Sequence, residues 1–365
     1  MARKRIVIKI GSNVLTRPDR TLDVTRMSAL VDQISDLHRA GYEVVMVSSG
    51  AVASGRSELR GCIDAAQLDP VSARQLFSAV GQVKLISHYH DLFRDQGIVC
   101  GQVLTMKESF STREHYLTQK QCIEVMLSRG VVPIVNENDT VSLTELMFTD
   151  NDELSGIIAS MLSASELIIL SNIDGVYDGD PSLPTSKVIL DINPDDEIDS
   201  GNIIQKTKSS LGRGGMSSKY HISETVAQIG INVVIANGKR ENILREVTSG
   251  DRTVPYTVFH AASKSTTSVK KWIAYSGDFA KGTITVNEGA YRIFTQEDKA
   301  ISLLPVGITA IEGDFEKNDI VRILSPQGQM FAIGRASTSS EEARKHLGQK
   351  GGKPVVHYDY LYIYK

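Results

Sequence analysis

Between residues 5 and 255 the chain alternates short apolar runs with longer stretches whose apolar positions recur every three to four residues. The runs RIVIKI, YEVVMV, GIVCGQVL, VVPIV, ELIILS and INVVIA are rich in β-branched residues, which predicts strands buried on both faces of a parallel sheet. Between the first two, Val24, Met27, Val31, Ile34 and Leu37 form one helical stripe, and Gly41 ends it. Leu76, Val80, Val83 and Ile86 predict a helix before the third strand, and Ile157, Met161 and Leu162 one before the fifth. Such alternation implies a doubly wound α/β domain, a mainly parallel sheet sandwiched by helices with right-handed crossovers. Ligands of such sheets sit beyond the carboxyl ends of the strands, so chemistry is sought in the polar residues that follow each run.

The pattern changes after Gly250. The stretch VPYTVFHAASKSTTSVKKW has no helical period and carries a Ser/Thr/Lys cluster, which predicts a linker over 256–268. Beyond it KGTITVNEGAYRIF, SLLPVGITAIEG, DIVRILSP, MFAIGRAS and YDYLYIY alternate or are β-branched, with turn signals between them. They predict a small β-rich domain over 269–365, following an α/β domain over 1–255. A length of 365 residues accommodates both.

Net charge is −3, so nothing global draws the chain to nucleic acid or an anionic membrane. The opening MARKRIVIKIG contains Lys9 within its short apolar run and lacks a small-residue cleavage site, so it reads as a first strand rather than a signal segment. No apolar stretch approaches the roughly 20 residues that span a bilayer, and a cytoplasmic protein without a membrane partner is expected. Cys62, Cys100 and Cys122 are scattered and odd in number, as reduced thiols are. His88 and His90 would point apart on a helix, so no metal site is assigned to them.

Each strand end carries something polar. The first has Lys9, Gly11 and Ser12, and the second has Ser48, Ser49 and Gly50; glycine lets backbone N–H groups approach an anion, although a tight turn favours the same residues. The fourth ends in NENDT, Asn136 to Thr140, and TDNDE follows at Thr149 to Glu153. Read singly, these are a turn and an acidic first helical turn; side by side they call for cations or substrate amines. The fifth ends in SNIDGVYDGDP, a turn-rich loop around Gly175 and Pro181.

GRGGMSSK, Gly212 to Lys219, precedes the helix that leads to the sixth strand. It is not a P-loop, because its lysine follows the serines. Gly214 and Gly215 free the backbone, and Ser217 or Ser218 suits a helix cap. Lys219 falls in a first turn, where the helix dipole disfavours a cation by about a few tenths of a kcal/mol. A bound polyphosphate would reverse that sign.

In this order VIKIGSNVL, MVSSGAV, IVNENDTV, FTDNDELS, LSNIDGVYDGDP and GRGGMSSK resemble the amino-acid kinases, and within them the branch that phosphorylates the side-chain carboxylate of glutamate. KGTITVNEGA and SLLPVGITAIEG are similar to the PUA domain appended to many members, so the resemblance covers the whole chain. It implies ATP and Mg2+ as cofactors, L-glutamate as substrate and glutamyl 5-phosphate, a proline precursor, as product. It also implies a homo-oligomer, dimer or tetramer, under feedback inhibition by proline. Lys9 and Lys219 would flank the transferred phosphoryl with Asp152 between them as organiser. Ser49, Asp139 and Asn151, with Asp150 beside them, would hold glutamate. Lys9, Ser171, Asn172, Arg213, Gly214, Gly215, Met216, Ser217, Ser218 and Lys219 would hold the nucleotide, and the protein itself would supply no dedicated metal ligands.

The chain departs from the family's pattern at Asn172, where an acidic residue is common, and at Arg213, where a small one is. PUA domains also occur in RNA-modifying proteins, but residues from Thr267 to Lys365 hold 13 Lys+Arg against 11 Asp+Glu. That weak positive balance favours a structural or regulatory role over RNA binding. Two alternatives stay open: a kinase of the same fold acting on a nucleoside monophosphate or another amino acid, and an RNA-binding protein with an inactive kinase domain. The NEND cluster and the PUA-like tail count against the first, and the intact Lys9, Asp152 and Lys219 against the second.

Overall fold

A computed structural model describes residues 4–62, 68–141, 150–194, 196, 215–263, 267–296 and 300–364. The chain divides into two compact units, Met1–Ser265 and Thr266–Lys365. In the first, the described residues form an eight-stranded sheet of β1 (Arg5–Ile10), β2 (Glu43–Ser48), β3 (Cys100–Thr105), β4 (Val132–Glu137), β5 (Glu166–Ser171), β6 (Asp191–Ile192), β7 (Asn232–Asn237) and β8 (Thr257–Phe259). Their spatial order is β3-β4-β2-β1-β5-β7-β8-β6, and all pairs are parallel except β7 with β8. This is the expected doubly wound sheet, its two added strands too short to stand out from their loops.

Register decides what the sheet can do. Ile10 lies opposite Ser48 and Leu170, and Ser171 lies opposite Asn237. The polar residues that end β1, β2, β5 and β7 therefore share one rim of the sheet.

Of the helices packed on the sheet, α1 (Ser12–Leu15) and α2 (Val24–Arg39) follow β1, α3 (Ala51–Glu58) and α4 (Pro70–Asp95) follow β2, and α5 (Arg113–Ser128) follows β3. The predicted stripe of α2 is buried at Met27, Val31, Ile34 and Leu37, and Asp23 caps the helix by accepting the Arg26 N–H. The stripe read for α4 is displaced. Its inward positions are Phe77, Ser78, Gly81, Leu85, Tyr89 and Phe93, while Val83 is 67% exposed. Gly81 and Ser78 lie on the true inner face and carry no hydrophobic signal. Yet Gly81 lies there because α3 and α4 touch backbone to backbone: a Cβ on Gly81 would come 1.8 Å from the Ala51 carbonyl oxygen, and one on Gly55 1.8 Å from that of Phe77.

Three other expectations change. The third run was read as buried on both faces, but β3 ends the sheet with one neighbour, leaving Leu104 exposed, with Val99 just before it. Residues 256–268 were read as a linker; Thr257–Phe259 is a strand of the first sheet and a helix starts at Ser268, so the boundary falls at Ser265. In the second unit β9 (Gly282–Val286), β10 (Ile308–Glu312), β11 (Ile320–Leu324), β12 (Met330–Ala336) and β13 (Val356–Ile363) form the order β10-β9-β11-β12-β13. The second half of KGTITVNEGAYRIF is the helix Glu288–Gln296 rather than strand, because the Asn287 side chain accepts the Ala290 N–H and starts it. That unit closes on its own core, including Ile284, Phe294, Val321, Ile323 and Val356.

Candidate active site

Lys9, near the end of β1, is an ion pair with Asp152 at 2.5 Å from Nζ to Oδ1. Lys219 Nζ donates to the other oxygen, Oδ2, at 2.8 Å. Asp152 opens α6 (Asn151–Met161) and Lys219 opens α7 (Met216–Gln228), so three distant segments meet at one carboxylate. All three side chains are buried, Asp152 completely. Burial by itself raises the Asp152 carboxyl, but the Lys9 and then the Lys219 ammonium outweigh it and hold the group below the ordinary carboxylate range. Two buried ammonium groups sharing one carboxylate form a site prepared for a further anion.

Local sequence explains how α6 presents Asp152. Asp150 is its N-cap: Oδ1 accepts the N–H groups of Asp152 at 2.9 Å and Glu153 at 3.1 Å. Its second oxygen accepts the Ser218 hydroxyl at 2.8 Å, which ties α6 to α7. Burial, reinforced by the Asp152 charge, pushes the Asp150 carboxyl up. The cap expected from Ser217 or Ser218 does not form. Gly215 is the N-cap residue of α7 and has no side chain to bond with; Ser217 and Ser218 fall inside the first turn, Ser217 facing solvent and Ser218 directed to Asp150. Met216 is buried beneath the turn; Arg213 and Gly214 lie outside the described residues.

A second polar cluster adjoins the first through Asn151. Its Nδ2 faces the Ser49 hydroxyl at 3.0 Å, Asn136 Oδ1 at 3.0 Å and the Ser48 carbonyl at 3.3 Å. Ser49 precedes Gly50, whose φ of 111° is a left-handed conformation that glycine adopts without strain, at the start of α3. Asp139 is buried beyond the end of β4 and accepts from Arg74 and, at 3.2 Å, from the Ser78 hydroxyl. Arg74 also reaches Glu137 at 3.2 Å, and Gln82 accepts from Asn136 at 2.9 Å.

Arg74, Ser78 and Gln82 were not among the residues singled out, and Glu137 was noted only as part of NENDT. The signal for the first three was present: polar residues four apart on an apolar helix share a face, and this face turns to the end of β4.

The loops after β5 and β7 form the third part. Ser171 is buried and its carbonyl accepts the Gly238 N–H at 2.8 Å, whereas Asn172 is exposed. Arg240 grips Asp174 with two bonds, 2.6 and 2.8 Å, and Asn237 adds a third at 3.1 Å. The Arg240 hydrogen bond holds the Asp174 carboxyl below its usual range. The fold thus brings Lys9, Asp152 and Lys219 together, joins Ser49, Asn151 and Asp150 to them through α6, and sets Ser171 and Asn172 on the same rim. Chemically, the buried lysines suit a polyanion and the α4–β4 cluster suits a small molecule carrying both charges.

Residues 4–237 match the Amino acid kinase family, and residues 282–357 match the PUA domain. The chain is 59% identical over 359 residues to the glutamate 5-kinase of Bacteroides thetaiotaomicron, covering 98% of each. It is 44% identical over 366 residues to that of Chlorobaculum tepidum, covering 99% of this chain and 97% of the relative. Among solved structures it resembles a carbamate kinase from Giardia lamblia bound to AMP-PNP, with a TM-score of 0.54 and 16% identity, covering 72% of this chain and 99% of that one. That likeness concerns the fold alone.

Proposed function

The chain belongs to the amino acid kinase family, and we propose that it carries out the reaction its full-length relatives are named for, phosphorylation of the glutamate side chain by ATP. The product, glutamyl 5-phosphate, is an acyl phosphate and opens proline biosynthesis. The observation that carries this reading is the buried Lys9–Asp152–Lys219 triad, joined through Asn151 and Asn136 to a cluster of opposed charges at Arg74, Glu137 and Asp139.

The chemistry follows from charge. A glutamate side chain, with an ordinary pKa of about 4.3, is already ionised at neutral pH, so the nucleophile needs no base. An anion must approach a polyanion, and the work is positioning and charge stabilisation. Lys9 and Lys219 would meet the phosphoryl oxygens on two sides, and Asp152 would keep the two ammonium groups from driving each other apart. Gly215, Met216, Ser217 and Ser218, with Arg213 and Gly214 ahead of them, would follow the phosphates into the dipole of α7. Ser171 and Asn172 would lie against the nucleoside.

Magnesium fits as the counter-ion of ATP, held by phosphate oxygens and water. Asp150, whose two oxygens already accept two backbone N–H groups and the Ser218 hydroxyl, suits contact through water. Ser49, Asp139 and Asn151 would hold glutamate, with Asp150 behind them. Proline, sharing the α-ammonium and α-carboxylate of glutamate, would compete there as the feedback inhibitor. A homo-oligomer is supported by the exposed Val99 and Leu104 at the β3 edge and by Val83, Leu117 and Val125. No described helix is long and apolar enough to cross a membrane.

The test is to incubate the protein with ATP, magnesium and glutamate and trap product with hydroxylamine. A hydroxamate from glutamate and none from UMP is expected. ADP release with another acceptor, and no hydroxamate with glutamate, would refute the substrate.

A further inference from the structure

Asp139 alone cannot account for recognition of the substrate. Both charges of an amino acid's α-centre hang from one carbon, so a site that reads them must present an acid and a base side by side. The Arg74–Asp139 pair has that form. Arg74 projects from α4 onto the carboxylates of Asp139 and, at 3.2 Å, Glu137, and its side chain keeps 20% exposure while those of Asp139 and Glu137 keep only 9% and 5%. It is the most exposed member of the three, on a long side chain whose planar fork matches a carboxylate.

The neighbouring contacts place the pair within reach of the chemistry. Arg74, Ser78 and Gln82 line one face of α4, bonding Asp139, Asp139 and Asn136 in turn. Asn136 passes to Asn151, which adjoins Asp152 in the first turn of α6. Two methylene groups separate the α-carbon of glutamate from its reacting carboxylate, so a ligand held at its α-centre by Arg74 and Asp139 would extend its side chain past Asn136 and Asn151 toward the triad.

We propose that Arg74 is the specificity-determining residue for the α-carboxylate of glutamate, turning from its ion pair to grip the substrate while Asp139 takes the ammonium. This rests on the reading of the chain as a glutamate kinase. A purely structural Arg74, neutralising Asp139 and Glu137, makes a different prediction, and the α-amide of glutamate separates the two. That analogue keeps the reacting carboxylate and the ammonium and loses only the α-charge.

The experiment compares L-glutamate with its α-amide in wild type, Arg74→Met and Arg74→Lys, using hydroxamate formation for kcat/KM. Where the amide does not turn over, its inhibition constant against glutamate is used. Wild type should prefer glutamate by about a hundredfold or more, as sites built around a charged partner do. Arg74→Met should lose about a hundredfold on glutamate, chiefly in KM, and change little on the amide, so that the preference collapses; Arg74→Lys should restore part of it.

Equal losses on both ligands, or a wild type indifferent to the α-group, would overturn the proposal. Arg74→Lys carries the comparison if Arg74→Met does not fold. A wild type inactive on glutamate would instead remove the function on which the inference rests.

Discussion

Replacing Asp152 by Asn keeps the shape of the triad and removes the charge that two buried lysines share. Lys9 and Lys219 stand 2.5 and 2.8 Å from its two oxygens, and water has little access to any of the three. Removing one partner of a buried ion pair costs about 3–5 kcal/mol, because the remaining charge is left uncompensated. Urea unfolding of the free enzyme should show a loss of that order in Asp152→Asn.

A nucleotide reverses part of this loss. Its phosphates bring the missing negative charge, so saturating ATP with magnesium should stabilise the variant more than it stabilises wild type. Turnover should still fall at least about a hundredfold, since the lysines no longer hold their places around the transferred group. The pH dependence has a definite sign. The folded carboxyl lies below its ordinary value, so its stabilising contribution is complete above the unfolded pKa of about 3.9 and is lost as pH falls through the folded one. Asp152→Asn should lack that acid-dependent portion. A variant as stable as wild type, equally stabilised by nucleotide and within tenfold in rate, would refute the view of Asp152 as a shared counter-charge.

Substituting Met for either Lys9 or Lys219 should lower kcat by at least about a hundredfold in the hydroxamate assay, with the fold intact by circular dichroism; a loss under tenfold would deny that lysine its role at the phosphoryl group. Gly81→Ala should force α3 and α4 apart, since the added carbon would meet the Ala51 carbonyl at 1.8 Å. A destabilisation of about 1–3 kcal/mol is expected, together with a raised KM for glutamate, because α4 carries Arg74 and α3 begins at the Ser49 turn. Thermal unfolding and steady-state kinetics would check both.

Much of this molecule was legible before any coordinates. Strands buried on both faces must be apolar throughout, so β1, β2, β4, β5 and β7 announce themselves from neighbouring residues alone, and the edge strand β3 shows in its apolar run although one side of it has no described neighbour. Lys9, Asp152 and Lys219 could be singled out because each sits beside a strand end or helix start, where polar groups need a reason to be. The resemblance in the order of the motifs assigned their roles before the sheet showed them meeting. The kind of helix in α4 was equally clear, but not its inner face: glycine and serine fill two inward positions, and a hydrophobic period cannot register a contact made by backbone.

Local patterns therefore determined the elements and their order, since helix and strand periods are written over a few consecutive residues. Which distant residues touch was settled only by sheet order and register. Asp150 stood beside the expected substrate residues, and only the structure shows that it also caps α6 and ties it to α7. Arg74 was not singled out in the sequence, and tertiary packing set it on Asp139, 65 residues away. Charge pairing acts through space, so a residue's partner cannot be read from its neighbours in the chain.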